Sequence, residues 1–99
     1  MKRSQMASRI LLKGEETAMG VTSSANASTF NNAVALRVIN TDASNTYLVT
    51  HVTSVGAGTT VIGSFRLPAG AVEYVEKKPT EALWAVNAAV MAAPIGFTN

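Results

Sequence analysis

From Ala33 onward, apolar and β-branched residues alternate with polar ones in short runs, and each run ends in a cluster of turn formers. A period of two places successive side chains on opposite faces of an extended chain, so the pattern predicts half-buried strands rather than helices. Ala33 to Asn40 reads as a strand with Val34, Leu36 and Val38 on one face and Arg37 on the other. The run from Asn40 to Asn45 ends it, because Asn, Asp and Ser side chains bond to nearby backbone and compete with a ladder. Tyr47 to Ser54 is the second strand, closed by Gly56-Ala57-Gly58. Thr59 to Leu67 is the third, with Val61, Phe65 and Leu67 in phase and Arg66 out of phase. After the turn Leu67-Pro68-Ala69-Gly70, Ala71 to Lys77 forms a fourth, with Val72 and Tyr74 opposed to Glu73 and Val75. Short loops favour an antiparallel meander, since parallel pairs need crossovers of about a dozen residues.

The remainder is less regular. Thr80 to Pro94 could form a helix capped by Thr80 with Leu83, Val86, Asn87 and Val90 on one face. The reading preferred here is a turn around Pro79 to Leu83 followed by strands near Trp84 to Asn87 and Ala89 to Phe97. Residues 1–32 hold one apolar patch, Ile10-Leu11-Leu12, and a Ser/Thr/Ala/Asn tract that cannot by itself offset the entropy of ordering. The expectation is an all-β fold: an antiparallel β-sandwich or open barrel of about six to seven short strands over residues 33–99, with residues 1–32 as an extended N-terminal arm that docks on a neighbouring subunit.

Composition bears on function. The 99 residues are 47% hydrophobic and only 14% charged, against about a quarter charged for ordinary soluble domains. A surface so poor in charge implies coverage by neighbours. Net charge is +2, and Lys2, Arg3, Arg9 and Lys13 all precede the first acidic residue, Glu15. Four cations without interleaved aromatics make a poor nucleic-acid signal. No run approaches the about 20 apolar residues of a membrane-spanning helix, so no membrane role is expected.

Candidate chemistry is sparse. There is no cysteine, and His51 is the single histidine, so neither a metal site nor a catalytic base has the expected companions. Gly56-Ala57-Gly58 lacks the third glycine and the helix of a phosphate cradle. Glu15-Glu16 and Glu73, Glu76 point to opposite faces of their strands, and Glu76, Lys77 and Lys78 read as edge charges that block stray pairing. No catalytic residue, cofactor or metal is expected, and the chain is not read as an enzyme. The expected contact residues are Arg9, Ile10, Leu11, Leu12 and Lys13 on the arm, and Trp84, a residue type favoured at interfaces.

One resemblance bears on these expectations. The leader Arg9-Ile10-Leu11-Leu12-Lys13-Gly14-Glu15-Glu16-Thr17-Ala18-Met19-Gly20, the pair Leu36 to Thr41, the segment Gly63 to Gly70 leading into Val72 to Thr80, and the ending Ile95-Gly96-Phe97-Thr98-Asn99 resemble small virion structural proteins of tailed phages, notably those of marine cyanobacteria. The resemblance covers most of the chain and rests on pattern rather than on a diagnostic motif. It implies a β-sandwich present in many copies on the particle, made in the host cytoplasm and located in the virion. Its partners would be copies of itself and other virion proteins, the major capsid protein among them. A capsid decoration or cement subunit is the first expectation. A neck or tail subunit, or a receptor- or carbohydrate-binding fibre module built on Trp84, Tyr47 and Tyr74, is the alternative.

Overall fold

The computed structural model describes residues 9–21, 23–56 and 58–98. Nine strands appear among them: β1 (Arg9–Leu12), β2 (Thr17–Ala18), β3 (Gly20–Val21), β4 (Ala35–Asn40), β5 (Tyr47–Val52), β6 (Val61–Leu67), β7 (Val72–Glu76), β8 (Ala82–Ala85) and β9 (Val90–Thr98), with one 3-10 turn at Ser24–Asn26. They form two sheets. The first runs β1-β9-β4-β7 with β2 also on β9, and the second runs β3-β8-β5-β6. The fold is therefore an all-β sandwich, as the alternation predicts. No helix among the described residues is long and apolar enough to cross a membrane.

Leu36 and Val38 of β4 and Val90 and Ala92 of β9 meet Val49, Leu67, Leu83 and Ala85 of the second sheet, and all are buried. Two β-sheets with one apolar face each are stable only when those faces cover one another. That requirement overrides the expected meander. Of the four strands β4 to β7, only β5 and β6 pair as sequence neighbours; β4 pairs with β7 and β9 instead, and β5 with β8. A single meandering sheet would leave its apolar face in water.

Residues 82–85 and 90–98 are strands, not a helix. Val34 falls outside β4 and is exposed, and Val61 is 60% exposed although Phe65 and Leu67 keep the expected phase. The cause is a register shift: His51 pairs with Gly63 but Val52 pairs with Val61, leaving Ile62 as an extra residue. One extra residue turns the following side chains to the other face.

The division into an arm, 1–32, and a sandwich, 33–99, needs correction for its described part. β1 and β2 add to β9, and β3 lies parallel to β8. Met19 and Phe30 are core residues, and Ala27 packs with Val52 and Ala82 on the far side of the second sheet. A Cβ on Gly20 would meet the Asn26 carbonyl oxygen, so this approach requires glycine. Single apolar residues between and after two-residue strands carry no periodicity, yet each completes a face that strands later in the chain leave open. Met1–Ser8, which hold Lys2 and Arg3 of the basic leader, lie outside the described residues.

The corner between the sheets is held by Asn40, which is fully buried. Its Nδ2 donates to the carbonyls of Asn45 (2.7 Å) and Leu67 (2.9 Å), and its Oδ1 accepts from the backbone N–H of Asp42 (2.9 Å). Its backbone N–H donates to Ala71 (3.1 Å) and its carbonyl accepts from Gly70 (2.9 Å).

Two outcomes follow. Asn40→Ala leaves buried carbonyls without donors and lowers the unfolding free energy by on the order of 1–3 kcal/mol in urea titration. Deleting residues 1–32 removes Met19 and Phe30 from the core, and circular dichroism of the truncated chain should show loss of the folded state; a cooperative β-sheet unfolding transition would overturn the assignment of this segment to the domain.

Candidate interaction surface

β9 is twice used. Its first half, Val90 to Pro94, pairs with β4, and its second half, Ile95 to Thr98, pairs with β1 as a two-stranded ribbon continuing past the end of β4. Ile95 on this stretch is buried at 1% exposed, but the β1 side of the ribbon is not covered. Ile10, Leu11 and Leu12 therefore remain 38%, 50% and 70% exposed. Adjacent strand residues point to opposite faces, so both faces of the ribbon present a large aliphatic side chain. Arg9 and Lys13 flank them. Of the six residues expected to make contacts, these five are contiguous and on the surface.

Trp84 is elsewhere. It lies on β8, pairs with Thr50 and Gly20, and packs partly buried against Ala27, Val52 and Ala82. Its indole N–H is buried with no hydrogen-bond partner among the described residues. The expectation of an exposed contact is corrected for this side chain: residues 24–27 cover that end of the outer face. Beyond the covered end, Leu48 and Val86 are exposed beside Arg66, which pairs with Leu48.

Polar groups are tied internally. Asp42 accepts from the backbone N–H of Ser44 and Asn45 (both 2.9 Å) and from the Tyr47 hydroxyl (2.8 Å). These bonds, Ser44 foremost, pull its carboxyl from 3.8 to about 2, and the tie to Asp42 raises the Tyr47 hydroxyl. His51 Nε2 lies 3.0 Å from Glu81 Oε1, which also accepts from the backbone N–H of Lys78 (2.9 Å). The Lys78 bond is the main reason that the Glu81 carboxyl sits below its ordinary value. Glu16 meets Arg37 at 3.6 Å. Among the described residues no group of three or more His, Asp and Glu side chains is placed to hold a metal ion.

Lys77 departs from the edge-charge reading. It is 7% exposed, and its backbone N–H donates to Val34 (2.9 Å). Burial is the larger influence on its ammonium and pushes the pKa down, while the charge of Glu81 acts in the other direction. The sequence offered no signal for this, since Val34 and Lys77 are brought together only by the β4–β7 ladder. It equally gave no sign that Phe30, Asn31 and Asn32 would all adopt left-handed conformations, with φ of 52°, 61° and 57°. Asn tolerates that region better than most residues, and burial of the Phe30 ring offsets its strain.

No family model, curated protein or solved structure matches this chain.

The carboxylates give a pH dependence with a definite sign. Asp42 and Glu81 have folded-state values below their ordinary 3.8 and 4.5. The stability that they contribute is therefore complete above those values and is lost as pH falls toward the folded-state values. Melting temperature should decline between pH about 4.5 and about 2, and Asp42→Asn should flatten the lower part of that decline; an unchanged profile in the variant would show that Asp42 does not couple to folding.

Proposed function

We propose that the chain is a non-enzymatic structural subunit of a tailed-phage particle, acting as a capsid decoration or cement protein by packing against copies of itself and the major capsid protein. The observation that carries this reading is the ribbon of β1 and the end of β9, which extends Ile10, Leu11 and Leu12 beyond the sandwich. Exposed aliphatic residues gathered on one projecting element mark a contact surface, because leaving them in water costs free energy that a neighbour removes. The low charge of the chain adds to it. The role of Ile10 to Leu12 as a docking segment is kept, but on a ribbon anchored in the subunit's own sheet. A neck or tail position would use the same surface, and the copy number in a cryo-EM map of the particle separates the two. The fibre-module alternative has less behind it: Tyr47 is bonded to Asp42 and Trp84 is packed under residues 24–27, so the aromatic residues do not gather into a sugar platform.

Sedimentation velocity tests the reading. The full chain should associate as concentration rises, and Leu11→Ser with Leu12→Ser should remain monomeric with the same circular dichroism spectrum. A wild-type chain that stays monomeric at high concentration and does not co-assemble with capsid would sink the proposal.

A further inference from the structure

A cleft of about 460 Å³ opens between the loop preceding β4, the end of β7 and the ribbon. It is lined by Lys13, Lys77 and Lys78, with Glu76, Glu81 and Gly96 among the other residues. We propose that this cleft is an oxyanion site, taking the phosphate or carboxylate group of a ligand on the three lysines that line it.

Lys77 is the first element. The residue is 7% exposed and burial lowers the pKa of its ammonium, so the charge has lost part of its hydration, and buried charges are normally paired or hydrogen-bonded with good geometry. Its Nζ instead has the carbonyl of Lys78 at 3.4 Å, longer than a good N–H to O bond. The ion pairs among the described residues are Arg37 with Glu16 and His51 with Glu81, so none of the three lysines is held by a carboxylate. Glu81 lies in the lining and its charge reaches Lys77, but its Oε1 is already taken by His51 and by the Lys78 N–H. The lysines outnumber the glutamates, and a small anion could supply the acceptors that Lys77 lacks.

Lys13 is the second element. Its backbone N–H is fixed on the Pro94 carbonyl at 2.9 Å, and its side chain lies across Gly96, where an added Cβ would come within 2.9 Å of Cε. The absent side chain at position 96 is thus what lets Lys13 reach along β9 to the cleft. Two adjoining hollows of about 310 and 350 Å³ share Lys13 and Pro94 and extend the cleft past Phe30 and Asn31, leaving room for the body of the molecule that carries the anionic group. The basic leader with Lys2 and Arg3 is the wrong charge to fill it.

The test titrates the full chain with inorganic phosphate and, separately, with glutarate, against sodium chloride at matched ionic strength, reading melting temperature and calorimetric heat. At least one of the two should raise the melting temperature above the chloride control. A response to phosphate alone assigns the site to phosphate esters, one to glutarate alone assigns it to acidic side chains, and a response to neither overturns the proposal. Lys77→Met keeps the aliphatic stem and should weaken binding by roughly tenfold or more through loss of a charge-assisted hydrogen bond. It should also melt at or above the wild-type temperature in chloride, since the partly desolvated ammonium is removed. Unchanged affinity in a folded Lys77→Met would overturn the assignment. If that variant does not fold, Lys13→Met decides in the same way: wild-type affinity overturns the site, and weakened binding supports it.

Discussion

The two sheets are joined wherever the chain passes from one to the other, and the corner around Asn40 is where that passage is most constrained. A side-chain amide has two donors and one acceptor to satisfy, and here all three meet backbone groups, Asp42 and Asn45 in the turn that follows and Leu67 at the end of β6. Leu67 ends a strand of the second sheet and Ala71 precedes a strand of the first, so one buried residue fixes both edges of the crossover. A hydrophobic residue could fill the volume. It could not supply donors to carbonyls that the turn has taken out of both ladders, and buried carbonyls without donors are costly. The ordering of β4, β7 and β9 on one side and β5, β6 and β8 on the other depends on this turn being held.

Much of the fold was legible because the core strands alternate. Leu36, Val38, Phe65 and Leu67 lie on the faces that the period of two assigns to them. What the pattern could not reveal is pairing order, since alternation records which face a residue takes and not which strand lies beside it. The N-terminal third was misread for the same reason. Met19 and Phe30 are isolated apolar residues in polar surroundings, and their value appears only when strands near residues 36 and 90 present the gap that they fill.

The candidate surfaces divide along the same line. Ile10 to Leu12 could be singled out from sequence because three consecutive large aliphatic residues stand out in a polar leader. The cleft could not, because Lys13 is separated from Lys77 and Lys78 by most of the chain and Lys77 resembles any edge lysine until the β4–β7 ladder buries it. Trp84 failed in the opposite sense: its residue type pointed outward, but the 3-10 turn after β3 folds back over it.

Pro94 connects the ribbon with the cleft. β1 pairs with β9 up to Leu12 opposite Ile95, and β2 resumes with Thr17 opposite Ala92, so four residues, 13–16, stand against two, 93 and 94. Proline cannot donate to a ladder and is found at bulges for that reason. Its carbonyl still accepts from Lys13, which holds the near side of the bulge. The looped-out residues then take positions that a continuous strand would not offer: Glu16 reaches Arg37 across β9, and Lys13 lies over Gly96 at the cleft. The aliphatic ribbon and the lysine cleft are therefore not independent surfaces, because both meet at the bulge where β1 gives way to Lys13 opposite Pro94.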